Sequence, residues 1–248
     1  MSELTRFPVK IARAIRRERP LRTLRTRMLV AFPWEVGYLR FLWFTRCATK
    51  PAQAYETPDE GTKETEYSAS YLTRYAPDRR VEWTLFLLAS IPDCEKDSLL
   101  ILGPRYEPEL LMAQGLGWAR EGIRGLDTFS YSPSIDVGDM HSMPYDDERF
   151  ASIICGWTLS YSDRPDVAAA EMTRVLRPGG YLIVSMQKVA PDHVEVLQGV
   201  LKGEHRIQTL AQLDALYAGL DRVAGFEPTV ALGGEGHTIA AYRRPRPA

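Results

Sequence analysis

The feature of the sequence that most constrains its fold is an alternation, from Ser98 onward, of short apolar runs with longer stretches of helical composition. Uninterrupted apolar runs are typical of strands that are buried on both faces, and such strands form parallel sheets connected by helices. Strands are predicted at 99–102, 122–126, 135–137, 151–155, 181–186, 229–232 and 238–242, with helices at 108–119, 165–176 and 210–220. We therefore expect an α/β fold, Rossmann-like and doubly wound, with a mostly parallel seven-stranded sheet.

The amino-terminal part of the chain differs from the rest in charge. Residues 1–50 contain 12 lysines and arginines against 3 glutamates, a balance of +9, and because the whole chain carries −1 the remainder carries −10. This asymmetry indicates an anionic partner, such as a membrane surface, a nucleic acid, a phosphorylated substrate or the acidic half of a second subunit. We divide the chain into a basic, aromatic extension at 1–61 and a compact domain at 62–248.

Two segments of the extension have helical patterns. Phe7, Ile11 and Ala14 recur at helical spacing in a basic stretch that Pro20 ends, and residues 32–46 combine aromatic side chains with arginines. The aromatic side chains could pack on the domain while the arginines stay solvated, or the segment could lie on anionic lipid. A homodimer contact is also open, whereas a nucleic-acid surface is disfavoured because no recognisable binding module accompanies the charge.

The cysteines indicate a reducing compartment. Cys47, Cys94 and Cys155 are far apart and follow no CxxC spacing, which argues against a disulfide framework and a structural zinc site. The most apolar early stretch, 28–44, is interrupted by charged residues and a proline, so it does not resemble a transmembrane helix. We expect a cytoplasmic protein, with peripheral attachment to a membrane as an option, and propose no metal site.

The first predicted strand ends in a sharp turn that begins at Gly103. Ligands of open parallel sheets bind beyond such strand ends. The turn resembles the first motif of class I S-adenosylmethionine-dependent methyltransferases, a strand followed by a glycine-rich turn. The family has an acidic residue and two further glycines where this chain has Ile101, Arg105 and Glu107. Two interpretations stay open: Glu107 and Glu109 hold the methionine amino group, or the pocket has changed its ligand.

The stretch 137–157 closely resembles the type 11 methyltransferase pattern, in which a glycine-aspartate pair precedes a proline-aromatic turn, an acidic loop and an apolar strand. The resemblance implies that Asp139 accepts a hydrogen bond from the adenine amino group and that Met140 lines the adenine ring. It also implies that Asp127, with Thr128 beside it, binds the ribose hydroxyls at the second strand end. The alternative for Asp127 is that it only caps the following turn.

Later segments extend the resemblance to about Arg243. It implies that Gly156 and Trp157 line the cofactor pocket and that an Arg-Pro-Gly-Gly turn after the 165–176 helix leads into the fifth strand of a sheet whose last strand is reversed. Only eleven residues separate Asp127 from Asp139, too few for the helix that the family places there. That face of the sheet is therefore expected to be open, or covered by the extension or a second subunit.

The resemblance implies methyl transfer from S-adenosylmethionine to a small-molecule acceptor, which could be a sugar, a natural product or a lipid-linked compound. Methyl transfer mainly requires alignment of donor and acceptor, and a base helps where the acceptor is a hydroxyl or an amine. His141 and Tyr161 are the candidate bases, although both could be ordinary loop residues. The alternatives are a catalytically inactive, methyltransferase-like interaction or regulatory subunit, and another reaction on the same scaffold.

Overall fold

A seven-stranded sheet lies at the centre of the fold. The structure, a computed structural model, describes residues 20–47, 53–54, 80–104, 106–190, 207–231 and 234–247. Within these ranges the strands are β1 (Gln53–Ala54), β2 (Leu99–Leu102), β3 (Ile123–Asp127), β4 (Phe129–Ser130), β5 (Ile135–Val137), β6 (Phe150–Gly156), β7 (Leu176–Val189), β8 (Asp221–Phe226) and β9 (Glu235–Arg243).

The order of the strands across the sheet is β5-β3-β2-β6-β7-β9-β8. Strands β5, β3, β2, β6 and β7 pair in parallel, and β9 runs antiparallel to both of its neighbours. The short strands β1 and β4 form a separate antiparallel pair. The predicted doubly wound, mostly parallel sheet with a reversed last strand is confirmed.

The helices are α1 (Pro20–Ala31), α2 (Pro33–Arg46), α3 (Glu82–Ser90), α4 (Pro108–Gly115), α5 (Pro165–Val175) and α6 (Leu210–Leu216). A proline occupies the first turn of α2, α4 and α5, where its missing N–H costs no hydrogen bond. No helix in the described ranges is both long and apolar enough to cross a membrane.

Alternating side chains of the central strands enter two cores on opposite faces of the sheet. Leu100 and Ile153 join the core that contains the buried residues of α5 and α6, whereas Ile101 and Ile154 join the core formed with α3 and α4. All seven residues of β6 are buried, as expected of a strand covered on both faces. This double burial explains why the strand reads as an apolar run in the sequence.

One predicted strand is wrong. A strand was predicted at 229–232, but residues 229–231 have no regular structure. In its place the structure has β8 at Asp221–Phe226. All six residues of β8 are exposed at the edge of the sheet. An exposed edge strand needs no apolar run, so the hydrophobic pattern pointed to the wrong segment.

The amino-terminal helices form a hairpin that packs on α4. Phe41 of α2 joins a small core with Tyr106, Phe129 and Tyr131, which surround the beginning of α4 and the β4 segment. The predicted absence of a helix between Asp127 and Asp139 is confirmed, since this interval contains only β4, β5 and turns. The predicted helix around Phe7 lies outside the described residues, and the domain boundary at residue 61 stays a prediction.

Candidate functional site

Four chain turns meet at the carboxyl edge of the sheet. Gly103 follows β2, Asp127 ends β3, Asp139 follows β5 and Gly156 ends β6. Because these strands are adjacent and parallel, with Leu102 paired to both Leu126 and Cys155, their carboxyl ends lie side by side. The structure thus brings together the predicted residues of the first, second, third and fourth strand ends.

Gly103 allows a tight contact beneath this edge. Its φ is +68°, and a Cβ added to it would lie 2.3 Å from Oγ1 of Thr158. The Thr158 hydroxyl in turn donates to the carbonyl oxygen of Leu102 at 2.8 Å. A residue with a side chain would fit neither the backbone conformation nor the space. Arg105, two positions on, lies outside the described residues.

Arg80 is a polar residue at this edge that the sequence did not single out. Its guanidinium donates to the carbonyl oxygen of Gly103 at 2.7 Å, and the residue is only 7% exposed. Its positive charge lowers the pKa of the Cys155 thiol, but burial has the larger effect and raises that pKa to about 12. A buried cation beside a glycine turn is suited to an anionic group of a ligand. No local motif around Arg80 signals this position, because only the fold brings it to β2.

Glu107 begins α4 and is 2% exposed. Its carboxylate forms a two-pronged ion pair with Arg40 of α2, and Oε1 also accepts a hydrogen bond from the Ser132 hydroxyl. Its backbone N–H donates to the hydroxyl of Tyr131 at 3.1 Å. Both carboxylate oxygens therefore connect the extension to the domain, and contact with a cofactor, which stays a prediction, would require Glu107 to exchange one of these partners.

Asp127 is half-buried at the end of β3. Its Oδ1 accepts from the backbone N–H of Phe129 at 3.3 Å and, at 3.4 Å, from the Thr128 hydroxyl. The side chain therefore caps the following turn, as one interpretation of the sequence expected. It also stands at the strand end where the other interpretation places it, so ribose binding stays a prediction.

Asp139, His141 and Ser162 form a connected row. Asp139 Oδ1 accepts from the backbone N–H of His141 at 2.9 Å and lies 2.6 Å from ring Nδ1. Ring Nε2 lies 2.7 Å from the hydroxyl of Ser162. The imidazole thus fixes one oxygen of Asp139. Among the described residues, none donates a hydrogen bond to the other oxygen, Oδ2. Met140 packs against the core below.

The loop that follows Asp139 is held by α5. Arg174 donates to the carbonyl oxygens of Met143 and Tyr145, and Glu171 accepts from the backbone N–H of Met143 at 2.7 Å. Hydrogen bonding from Arg174 holds the pKa of the Glu171 carboxyl below its ordinary value. Glu171 and Arg174 of α5 therefore have a structural role, which is to hold this loop in place.

Aromatic side chains lie at the carboxyl edge of the sheet next to the end of β6. Trp157 has a φ of 63° and stacks on His237 of β9, with ring centroids 4.8 Å apart. Tyr161 ends the short 3-10 helix Thr158–Tyr161, and its hydroxyl has no hydrogen bond to any residue in the described ranges. His237 could not be selected from the sequence, because the antiparallel pairing of β7 and β9 is what places it here.

Comparisons with known proteins agree with this architecture. A family model described as a methyltransferase domain matches residues 113–184. The biotin biosynthesis bifunctional protein BioHC of Teredinibacter turnerae is 41% identical over 49 residues, which are 20% of this chain. The match spans only 9% of the length of that curated relative.

Solved structures share the fold. A chain of the Haloferax volcanii complex between the Trm112 methyltransferase activator and a methyltransferase has a TM-score of 0.54 at 16% identity, covering 78% of this chain and 99% of its own. The MccD protein has a TM-score of 0.51 at 13% identity, covering 66% of this chain and 97% of its own. At these identities the similarity concerns the fold.

Proposed function

We propose that this chain transfers a methyl group from S-adenosylmethionine to a small-molecule acceptor, because a family model described as a methyltransferase domain matches residues 113–184 and the sheet has the class I methyltransferase fold. The observation that supports this most is the placement of Asp127 and Asp139 at neighbouring strand ends, beside the Gly103 turn. A carboxylate offers two acceptor oxygens, which suits the vicinal ribose hydroxyls and the adenine amino group.

The described residues fit the three parts of the cofactor. Asp127, with Thr128 beside it, would hold the ribose, while Asp139 would accept from adenine through Oδ2 because His141 already occupies Oδ1. The buried guanidinium of Arg80 would bind the methionine carboxylate near the carbonyl oxygen of Gly103. Such a cation compensates in part for the departures of the first motif from the family pattern.

The remaining predicted contacts complete the proposed pocket. Met140 would lie against the adenine ring, and Gly156 and Trp157 would line the side nearest the acceptor. Glu107 enters this proposal only if it leaves Arg40, since both its oxygens are engaged.

S-adenosylmethionine, when bound, supplies a methyl group on a positively charged sulfur, so the leaving thioether is neutral. The main task of the protein is to align the acceptor with the methyl group and to exclude water. Trp157 and His237 would form one wall of the acceptor pocket. An acceptor hydroxyl or amine also loses a proton to a base as its bond to carbon forms.

Two side chains are proposed as that base. Tyr161 stands in the loop after β6, and its hydroxyl is not engaged by the described residues. His141 can accept a proton at Nε2 only by exchanging its contact with Ser162. We assign His141 a second role, which is to orient Asp139.

We further propose a cytoplasmic setting, in which Cys47, Cys94 and Cys155 stay as the free thiols observed. The acceptor is proposed to be a sugar, a natural product or a lipid-linked compound. A second subunit or an anionic membrane surface would meet the extension, whose described helices carry exposed arginines.

Calorimetric titration with S-adenosylmethionine and S-adenosylhomocysteine tests the proposal. Asp127→Ala should weaken binding of both compounds by about tenfold or more, because a hydrogen bond to a charged group is lost. Asp221→Asn, an exposed substitution in β8 on the other side of the sheet, is the matched control and should leave affinity within twofold. Unchanged affinity in Asp127→Ala would refute the ribose assignment. If the wild-type chain binds neither compound at millimolar concentration, the inactive, subunit-like function is favoured instead.

A further inference from the structure

A cavity lies between the amino-terminal hairpin and α4. Its volume is about 170 Å³, several times the roughly 30 Å³ that one water molecule occupies in the liquid. It extends from Glu107, at the beginning of α4, towards Arg120 and Ile123, at the amino end of β3. The cavity thus lies between the described helices of the extension and the sheet, on the side of α4.

Positive charge is in excess around this cavity. Arg25, Arg40 and Arg120 line it, and Glu107 is the only acidic residue among the described residues of its wall. Arg40 is paired with Glu107, whereas Arg25 donates to the neutral amide oxygen of Gln114 at 2.7 Å. Arg120 forms no ion pair within the described part of the chain. The described part of the wall therefore holds two more positive charges than negative charges.

Arg40 and Arg120 act on each other. Burial and the nearby charge of Arg120 lower the pKa of the Arg40 guanidinium. The two neighbouring guanidinium groups repel each other, and an anion bound between them would offset this repulsion. Guanidinium groups bind phosphates and carboxylates in a two-pronged geometry, so an oxyanion is the ligand that matches these side chains.

Apart from Gln114 and Ser134, the rest of the described wall is apolar. Leu29 of α1, Leu110 of α4 and Ile123 of β3 face the same space. An inorganic anion alone would leave this surface in contact with water, whereas an anion with a short hydrocarbon part would cover it. The lining thus has the two properties of a site for an amphipathic anion.

We propose that this cavity binds an oxyanion, a phosphate monoester or a carboxylate, that carries an apolar group. The proposal does not rest on the proposed methyl transfer, because Arg25, Arg40 and Arg120 have no part in that proposal; the two sites share Glu107. Two sources can supply such a group, namely a free small molecule or the headgroup of a lipid. The lipid source is relevant because Leu24 and Met28 of α1, and Phe32 directly after it, are exposed apolar side chains at four-residue spacing.

The site is tested by titrating the full chain with butyl phosphate, inorganic phosphate and butanol, with binding measured by calorimetry or ligand-observed NMR. Butyl phosphate should bind more tightly than inorganic phosphate, and butanol should not bind. Arg120→Ala should weaken butyl phosphate binding about tenfold, and Arg120→Lys should weaken it less, since charge remains but the two-pronged geometry is lost. Arg120 is exposed, so thermal unfolding should show that both variants stay folded.

Arg27→Ala is the matched control, because Arg27 is an exposed arginine of α1 outside the cavity wall. It should change affinity less than twofold. Vesicles of phosphatidylcholine with and without phosphatidylglycerol form the second arm, and binding that depends on Arg120 but not on Arg27 would identify lipid as the source. Equal losses in Arg120→Ala and Arg27→Ala, equal binding of butanol, or no binding in either arm would overturn the proposal.

Discussion

Replacing Arg40 by methionine should separate the amino-terminal hairpin from the domain. The change keeps much of the apolar stem but leaves the Glu107 carboxylate, 2% exposed, without its counter-charge. Removing one partner of a fully buried ion pair costs about 3–5 kcal/mol. Because the Arg40 side chain is 31% exposed, solvent screens part of this interaction, and we expect a loss of about 2–3 kcal/mol in the free energy of unfolding.

Urea denaturation followed by circular dichroism measures this loss, and thermal unfolding should show a decrease of about 5–10 °C. The double variant Arg40→Met, Glu107→Gln removes both charges, while a side-chain oxygen stays available to the Ser132 hydroxyl. It should recover most of the lost stability, since the penalty arises from the uncompensated carboxylate.

Arg177→Met is the control for the loss of an arginine as such. Arg177 pairs with Glu95 and Asp97 at 3.2 and 3.0 Å, but all three side chains are substantially exposed. Exposed ion pairs contribute about 0–1 kcal/mol, so this variant should lose no more than that. A loss of stability in Arg40→Met no larger than that in Arg177→Met, or a double variant no more stable than the single one, would refute the role assigned to the buried pair.

Two further predictions concern the carboxyl edge of the sheet. Gly103→Ala should destabilise the protein by about 2 kcal/mol or more, because Gly103 has a φ of +68° and an added Cβ would lie 2.3 Å from Thr158. Gly219→Ala is the control in the same denaturation assay, since its added Cβ meets nothing within 4 Å, and it should change stability by less than about 0.5 kcal/mol. Equal losses in the two variants would contradict the expected strain at Gly103. Iodoacetamide at pH 8 should label the exposed Cys47 in the folded protein but spare the buried Cys155, whose pKa of about 12 leaves roughly one thiolate in ten thousand. Mass spectrometry would detect this difference, labelling in urea is the control, and modification of Cys155 in the folded protein at the rate of Cys47 would refute it.

The sequence predicted the buried part of the fold well. The strand at 99–102 was predicted with the bounds that the structure has, because double burial leaves an apolar run with clear ends. The bounds of the strand at 135–137 were also predicted, although it lies at the edge of the sheet and only Ile135 is buried. The edge strand β8 was missed for the opposite reason, since all its residues are exposed and its composition resembles that of a loop. Its partner β9 was recognised, although it is longer at both ends than predicted.

The candidate site divides in the same way. Asp127 and Asp139 could be found because each stands at or just after the end of a predicted strand. Arg80 and His237 could not, since Arg80 precedes α3 by two residues and His237 reaches the edge only through an antiparallel pairing far along the chain. Arg40, too, lies 67 residues from Glu107. A local motif carries no information about partners that only the folded chain brings together.

The position of the hairpin has a consequence for how the chain assembles during synthesis. Its second helix ends at Arg46, and α4, on which it packs, begins at Pro108, so 61 residues are added in between. At the ordinary pace of translation this interval takes roughly 3–12 s. Throughout it Phe41 and Arg40 have neither the aromatic neighbours nor the carboxylate that later hold them. The helices made early are thus secured late, and a ribosome-bound chain truncated before α4 should expose them to chaperones and proteases.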